Sequence, residues 1–452
     1  MSWTAREAQE LYAVETWGEG FYFVNDAGHA AVRPFPERSL AIDIPEVVAE
    51  ARRRGVSGPL LLRFQDVLQA RVRRLHEAFA EAIDDAGYAG EYRCVYPIKV
   101  NQLHEVVEEV LDAGKPYELG LECGSKAELV AALPLVLDER LLLCNGVKDT
   151  AMLSLMLAAQ RLGQRVLPVI EKYTEFEQLA ALAVEARQAP RFAVRVKPAT
   201  SGSGRWFESG GRRSKFGLTL PELVGLVEDL ERLGWKDRLE LLHFHLGSQI
   251  SDIQVLKTAT KELAQIYAEL HARGIGVSVL DVGGGLGVQY GAGYGEDEGS
   301  AINYGLQEYA NAIVFTVKEV CDQRAVPPPC IVSESGRALT AHHSVLVVPV
   351  LGAYRPVENG EPPPAASIER APEVVRRLHR VLSELDETGE ALESLLEAYH
   401  DAEEAREEAN TLLRLGFLGI EDAAMAERIY GAACAAILER LRAMQPEDTP
   451  PE

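Results

Sequence analysis

The sequence predicts an α/β protein built on a closed (β/α)8 barrel, with a flanking β-structured domain and a C-terminal helical arm. Between residues 60 and 345, short apolar runs rich in β-branched side chains alternate with longer segments of helical period. Eight such runs occur, and eight strand–helix repeats are the number that closes a barrel. An open doubly wound sheet is the alternative, although that sheet is usually built from fewer strands.

Each predicted strand is followed by a segment with the pattern of a helix. The clearest of these, HEVVEEVLDAG, PELVGLVEDLERLG and VLKTATKELAQIYAELHARG, each end in a glycine, as suits a left-handed helix cap. The eight predicted strands are CVYPIK (94–99), YELGLE (117–122), RLLLCNG (140–146), VLPVIE (166–171), RFAVRVK (191–197), LELLHFH (239–245), VSVLDV (277–282) and CIVSES (330–335). Reactive groups of such barrels lie at the C-terminal ends of the strands, so a site is expected there.

The segments outside the barrel have different patterns. Residues 17–47 alternate aromatic and turn residues, and HHSVLVVPV after the barrel has the pattern of a strand, so we expect these two pieces to pair. The charged, helical segment that follows is expected to form a bundle or an oligomerisation arm. The predicted domains are an N-terminal segment of the β domain (1–59), the barrel (60–345), a strand and linker (346–367), the helical arm (368–444) and a disordered tail (445–452).

The composition excludes several classes of function. Of the 452 residues 47% are hydrophobic, which is enough for a large core, and the net charge of −23 disfavours nucleic acid and anionic membranes as partners. No apolar run approaches the roughly 20 residues that cross a bilayer, and no signal pattern opens the chain, so we expect a cytoplasmic location. The six cysteines lack paired spacing, which disfavours zinc knuckles and a disulfide framework.

Lys99 closes the first predicted strand, within YPIKVNQ. A lysine that faces a barrel mouth must be ion-paired, deprotonated or in an imine. Taken alone, the pattern leaves a solvated surface lysine and a functional lysine both open.

The glycines of DVGGGLG (281–287) follow the seventh predicted strand. Backbone N–H groups in such a loop can approach an anion without interference from side chains, so the loop is a candidate phosphate cradle. A tight bend between strand and loop is an equal alternative. The spacing differs from the G-x-G-x-x-G of a dinucleotide-binding fold.

His243 and His245 are two residues apart in HFHLGSQ, so on one strand they face the same side, with Ser248 just beyond. A metal-dependent hydrolase barrel also uses an H-x-H pair, but it needs further ligands, which His342 and His343 are poorly placed to supply. We therefore favour an imidazole that stacks on another ring, and a hydrogen-bonded core position stays open for His243.

The eighth predicted strand ends in SESGR, with Glu334 and Arg337. A carboxylate there could keep a ring nitrogen protonated and a guanidinium could bind a phosphate, whereas a surface ion pair is the alternative. Further charges at or after strand ends come from Glu122, Glu128 and Arg195. A lysine, a stacking histidine, a glycine loop, an acid and an arginine together are the groups that pyridoxal phosphate requires.

These motifs resemble those of the alanine racemase-like, fold type III pyridoxal-phosphate decarboxylases, and most closely the biosynthetic arginine decarboxylases. The likeness runs almost from end to end of the chain. The opening segment, PLLLRFQDVL and the helical arm resemble arginine decarboxylases rather than ornithine or diaminopimelate decarboxylases. The motifs that carry the resemblance are WGEGFYFVNDAGHAAVRP, YPIKVNQ, ELGLECGSKAEL, HFHLGSQI, DVGGGLGVQY and SESGRALTAHHSVLV.

The resemblance implies an activity and a role for each site residue. The family converts L-arginine to agmatine and CO2 for polyamine (putrescine and spermidine) synthesis, commonly requires Mg2+, and shares its site between subunits of a homo-oligomer, a dimer or tetramer. It implies that Lys99 forms the imine with the cofactor, that His245 stacks on the pyridine ring and that Glu334 pairs with the ring nitrogen. The other implied residues are Ser248, Gly283, Gly284, Gly285 and Arg337 at the phosphate, Glu122, Glu128 and Arg195 as a polar shell, and Asp281, Gly287 and Tyr290 on the substrate side. No magnesium ligands can be assigned.

One feature of the family is not found in this sequence. Relatives carry a late segment, a cysteine followed by acidic residues, which reaches the partner subunit's site and supplies a proton. Cys434 lies in a helical pattern and Cys321 on a barrel helix, so neither matches. We therefore expect the chain to correspond to the N-terminal two-thirds of the family, with the remainder removed or carried by a partner chain. A silent cofactor-binding homologue, a decarboxylase of ornithine or diaminopimelate, and a metal-dependent hydrolase stay open as alternatives.

Overall fold

Short helices and strands precede the barrel in the computed structural model, which describes residues 4–35, 40–137, 139–199, 215–290, 302–352, 365–385 and 392–443. These elements are α1 (Ala5–Leu11), α2 (Val14–Gly18), β1 (Tyr22–Val24), β2 (Ala30–Val32), β3 (Ile42–Asp43), α3 (Ile44–Arg53), β4 (Leu60–Arg63) and α4 (Gln65–Ala86). Strands β1, β2 and β3 form an antiparallel sheet in that order.

Eight parallel strands then close into a barrel, with helices between them. In chain order the elements are β5 (Tyr92–Pro97), α5 (His104–Gly114), β6 (Gly120–Cys123), α6 (Lys126–Ala132), β7 (Leu142–Cys144), α7 (Thr150–Arg161), β8 (Val166–Ile170), α8 (Tyr173–Glu185), β9 (Phe192–Arg195), α9 (Leu220–Leu233), β10 (Leu239–His243), α10 (Ile253–Ala272), β11 (Val279–Asp281), α11 (Leu306–Arg324) and β12 (Cys330–Ser333). Closure comes from pairing of β12 with β5. The predicted barrel is therefore confirmed.

Alternation along the strands separates the barrel interior from the layer beneath the helices. Val95, Leu143, Val169 and Val332 belong to an apolar cluster made almost entirely of barrel-strand residues, whereas neighbouring positions join the larger core shared with the helices. Because both faces are buried, the strands appear in the sequence as continuous apolar runs. Since the barrel interior is apolar, polar side chains are expected at the ends of the strands.

Several predicted strands extend further than the strands of the structure. Lys99 lies in a 3-10 turn at Ile98–Val100, two residues after β5 ends. His245 lies two residues after β10 ends at His243, so the two histidines do not share one strand. Lys99 and His245 therefore lie on the turns that leave the strands, where the backbone is free of the sheet's pairing.

The strand after the barrel pairs differently from our expectation. Following α12 (Gly336–Thr340), β13 (Ser344–Val347) pairs antiparallel with β4, so the expected pairing with residues 17–47 was wrong. Phe64 N also donates to His343 O at 2.7 Å, which continues this pairing beyond the strands. The two small sheets instead share one core, in which Val345 and Val347 pack near Phe21.

The helices after residue 364 form a separate compact unit, within Pro349–Glu452. They are α13 (Ala365–Ile368), α14 (Glu373–Glu384), α15 (Leu392–Arg414) and α16 (Ile420–Ala443). Buried side chains such as Val375, Leu395, Ile429 and Ile437 give this unit its own core. The predicted tail at residues 445–452 lies outside the described residues.

Among the helices that the structure describes, none combines the length and apolar character that a membrane span requires.

Protonation of His76 should destabilise the barrel in acid. This α4 side chain is buried, its Nδ1 donates to Val72 O at 2.8 Å, and its ring stacks on Tyr117 with the centroids 4.1 Å apart. Burial lowers the pKa of His76 to about 4. An unperturbed histidine has a pKa of about 6.5, so between this pH and about pH 4 only the unfolded chain binds the proton. The free energy of unfolding therefore falls by about 3 kcal/mol as the pH drops through this range.

The measurement is urea unfolding of the parent chain and of His76→Phe at pH 7 and pH 4.5. We expect the free energy of unfolding of His76→Phe to depend less on pH than that of the parent, by about 2 kcal/mol. His104→Phe is the matched control, because the His104 side chain is 70% exposed. Equal pH dependence in the parent and His76→Phe would contradict the prediction.

Candidate active site

A lysine and a buried glutamate meet at the C-terminal end of the barrel strands. Lys99 Nζ donates to Glu122 Oε2 at 2.9 Å. The Lys99 side chain is 53% exposed whereas that of Glu122, on β6, is fully buried. Because about half of the Lys99 side chain is open to solvent, a carbonyl compound can approach this residue while Glu122 fixes the position of Nζ.

Asn145 connects this pair to a second buried glutamate. The residue follows β7, and its Nδ2 donates to Glu122 Oε1 at 2.9 Å and to Glu334 Oε1 at 2.8 Å. Both amide hydrogens are therefore used by carboxylates. Asn145 was not among the residues expected from the sequence, because a single asparagine at a strand end, within LLLCNG, does not stand out there.

The charges of these groups shift one another's pKa values. Burial, followed by the charge of Glu334, raises the pKa of Glu122, and burial, followed by the charge of Asp281, raises the pKa of Glu334. Burial alone would lower the pKa of Lys99, but the charges of Glu122 and Glu334 outweigh it and raise that pKa. The free amine therefore rests as an ammonium.

The glycine loop after β11 packs against His245 and Glu334. A Cβ on Gly283, whose φ is +67°, would lie 2.4 Å from Phe244 O and 3.2 Å from His245 Nδ1. A Cβ on Gly284 would lie 2.9 Å from Glu334 O. Larger residues would displace these groups, so the loop must be glycine to approach them this closely.

The two histidines have opposite electrostatic surroundings. Burial, followed by the charge of Arg195, holds the pKa of His245 well below its ordinary value, so its ring is neutral. His243 Nδ1 lies 3.0 Å from Asp281 Oδ2, and although burial would lower the pKa of His243, the charges of Asp281 and Glu334 raise it. His243 thus occupies a buried, ion-paired position, while His245 offers an uncharged ring.

The side chains that could bind a metal ion together differ from the histidine pair considered in the sequence. In the described part of the chain, the side chains close enough to share an ion are His243, Asp281 and Glu334. His245 is not among them. The geometry therefore gives no support to a metal centre built on the H-x-H motif.

Arg337 and Ser248 converge beside the glycine loop. Arg337 Nη2 donates to Ser248 Oγ at 3.0 Å and its Nη1 donates to Tyr290 Oη at 2.9 Å. Its Nε is buried and, within the described residues, has no hydrogen-bond partner. Ile250 N donates to Gly285 O at 2.9 Å, which holds the Ser248 loop against the glycines. A guanidinium with a spare donor beside a hydroxyl and glycine amides suits a phosphate.

The remaining predicted residues lie around this centre. Arg195, at the end of β9, donates to Glu171 Oε1 at 2.6 Å, a partner that sequence analysis did not select. Glu128 Oε2 accepts from Gly124 N at 2.7 Å. Asp281 Oδ1 accepts from Gly283 N at 2.8 Å, and Gly287 N donates to Tyr304 Oη at 3.1 Å. Arg195, Asp281 and Gly287 therefore belong to strand ends or the loops that follow, whereas Glu128 lies in the first turn of α6.

Comparison with known proteins identifies the family. Residues 69–341 match the family described as pyridoxal-dependent decarboxylase, pyridoxal binding domain. The chain belongs to the pyridoxal-dependent decarboxylase family. Residues 368–451 of this decarboxylase match the arginine decarboxylase helical bundle domain.

Individual relatives agree with this assignment and confirm the resemblance found in the motifs. The decarboxylase is 41% identical over 430 residues to the biosynthetic arginine decarboxylase of Bacteroides thetaiotaomicron, covering 95% of this chain and 67% of the relative. It is 43% identical to that of Parasynechococcus marenigrum, covering 97% and 68%. The crystal structure of the biosynthetic arginine decarboxylase from Campylobacter jejuni is 30% identical, with a TM-score of 0.76 over 95% of this chain and 69% of that one. The chain thus spans about two thirds of these relatives' length.

The groups at the mouth of the decarboxylase barrel fit pyridoxal phosphate. The unpartnered Nε of Arg337 and the glycine loop suit the phosphate, the neutral His245 ring suits stacking on an aromatic ring, and the exposed amine of Lys99 suits a carbonyl. The donors and acceptors required by the cofactor are therefore present at one end of the barrel.

Proposed function

We propose that the chain is a pyridoxal-phosphate-dependent arginine decarboxylase, which converts L-arginine to agmatine and CO2 in polyamine biosynthesis, including spermidine. The observation that carries the proposal is the unit formed by Lys99, Glu122, Asn145 and Glu334. In it Lys99 Nζ donates to the buried Glu122, and Asn145 joins Glu122 to a second buried carboxylate, Glu334. Identity of 41–43% to proteins named biosynthetic arginine decarboxylase supports the choice of substrate.

The proposed roles follow from where each side chain lies. Lys99 Nζ would bind the cofactor covalently, His245 would stack on its ring, and Glu334 would accept a hydrogen bond from its ring nitrogen. Arg337, Ser248 and the glycines Gly283, Gly284 and Gly285 would bind its phosphate. When bound, pyridoxal phosphate supplies an electron sink for the electron pair left behind as CO2 departs.

The surrounding residues would orient the reacting groups. Glu122 holds Lys99 Nζ at 2.9 Å, so a proton can be kept on that amine or returned from it. Arg195 is itself held by Glu171, and burial together with the charge of Arg195 lowers the pKa of His245 and keeps its ring neutral. Overall, the α-carbon–carboxylate bond breaks, CO2 leaves and a proton takes its place. On the substrate side we propose Asp281, Gly287 and Tyr290.

Further parts of the proposal rest on the family alone. They are a requirement for Mg2+, assembly as a homo-oligomer and a cytoplasmic location.

The test is CO2 release by the purified chain with pyridoxal phosphate, offered L-arginine, L-ornithine, L-lysine or diaminopimelate. We expect a cofactor absorbance band and release from arginine in preference to the other three. Preference for ornithine or diaminopimelate would overturn the substrate, and a band without release from any of them would favour a silent homologue. Absence of both band and release would overturn the proposal as a whole.

A further inference from the structure

A second ionic pair, Lys148 with Glu175, lies buried beside the site and has no part in the roles assigned above. Lys148 Nζ lies 3.4 Å from Glu175 Oε2, and the two side chains are 0% and 5% exposed. Removing two charges from water is unfavourable unless further hydrogen bonds satisfy them, and apolar residues of similar volume often serve the fold as well. A contribution to stability alone therefore does not explain why a lysine and a glutamate occupy these buried positions.

The pair joins the loops that leave two neighbouring strands. Glu175, in the first turn of α8, accepts from Lys148 N at 3.2 Å and from Glu171 N at 2.9 Å. Lys148 Nζ also donates to Gly146 O, one residue after Asn145. The loop after β7 and the loop after β8 are thus held together by one carboxylate and one ammonium.

Each of the two loops carries a residue of the site. Asn145 bridges Glu122 and Glu334, and Glu171 holds Arg195. The loop after β7 also packs closely against the backbone at Gly124. Gly146 in this loop has a φ of +74°, and a Cβ there would lie 2.2 Å from Gly124 O. A shift of the buried pair would therefore move Asn145 and Glu171 directly.

We propose that Lys148 and Glu175 are positioning residues, which fix Asn145 and Glu171 so that Glu122, Glu334 and Arg195 keep their places around Lys99. This inference rests on the proposed function of the site. Neither residue contacts the exposed amine, so both act through their neighbours. A purely structural pair would influence folding alone, whereas a positioning pair also controls the affinity for the cofactor and the turnover number.

The experiment compares the parent chain with the double variant Lys148→Met/Glu175→Gln, which removes both charges while keeping side-chain volume. Thermal unfolding of the cofactor-free chain, the Kd of pyridoxal phosphate from absorbance titration, and kcat and KM for arginine are measured. We expect a folded variant in which Kd rises about 10-fold and kcat falls about 100-fold, because misplacement by about 1 Å has effects of that size. KM should change less than kcat.

A matched control is Arg165→Met/Glu240→Gln. This ion pair, with 2.8 Å between Arg165 Nε and Glu240 Oε1, lies at the opposite, N-terminal end of the barrel strands. Its loss should leave Kd and kcat near parental values. A further variant, Asn145→Ser, separates direct from indirect effects: combined with the double variant it should lower kcat no further than the larger of the two losses.

The outcomes separate this inference from the proposed function. A parent chain that binds no pyridoxal phosphate overturns both. If the parent binds the cofactor and the folded double variant matches it in Kd and kcat, the positioning role alone is overturned. Should the double variant not fold, Glu175→Gln is measured in the same way, and failure of that variant also to fold would make the pair structural and overturn the proposal.

Discussion

Replacing Lys99 with arginine should abolish decarboxylation while leaving the barrel folded. Arginine keeps a positive charge for Glu122, whose buried carboxylate accepts from Lys99 Nζ at 2.9 Å in the parent. The guanidinium cannot lose its proton at accessible pH, so it cannot act as the amine nucleophile. We expect kcat/KM for arginine to fall by at least about 10³-fold, the range found when a reacting group is removed.

The measurements are CO2 release and the absorbance of the lysine-bound cofactor, which should disappear in Lys99→Arg. The matched control is Lys115→Arg, since the Lys115 side chain is 67% exposed and pairs with Asp112 on the surface. Retention of more than a tenth of the parental activity by Lys99→Arg would contradict the proposed role of this lysine.

Most of the fold could be predicted from the sequence because the strand–helix pattern that indicates a barrel is repeated eight times. Eight apolar runs separated by helical segments determine a closed barrel, and an error of two residues at a strand end does not change that outcome. The pairing of β13 could not be predicted in the same way. Short alternating strands such as Ser344–Val347 fit several partners equally well, and the burial of Phe21 and Phe64 in one core decides between them.

The site was predictable where a residue type is unusual for its position. A lysine at a strand end and three consecutive glycines attract notice in the sequence, and both lie at the barrel mouth. Asn145 does not, because its role comes from barrel closure: Glu334 is 189 positions later in the chain and lies within 2.8 Å of it. The Lys148–Glu175 pair likewise cannot be recognised in the sequence. A glutamate in the first turn of a helix gives the same sequence pattern whether it is exposed or, like Glu175, buried.

Replacing Glu334 with glutamine should reduce turnover strongly while leaving cofactor binding largely intact. The amide Oε1 can still accept from Asn145 Nδ2, which donates to Glu334 at 2.8 Å in the parent. The negative charge that would keep the cofactor's ring nitrogen protonated is lost. Because that charge matters most where negative charge develops during the reaction, we expect kcat to fall by about 10²- to 10⁴-fold.

The pyridoxal phosphate Kd should change far less than kcat in Glu334→Gln, since Lys99, Ser248 and Arg337 are untouched and Arg337 keeps its contact with Ser248. Glu334→Asp, which retains the charge on a shorter side chain, should lie between the parent and Glu334→Gln. Glu77→Gln is the matched control, because the Glu77 side chain is 63% exposed. Equal losses in kcat and in cofactor affinity would instead mean that Glu334 mainly holds the site together, since a charge that acts on the ring nitrogen must slow turnover more than it weakens binding.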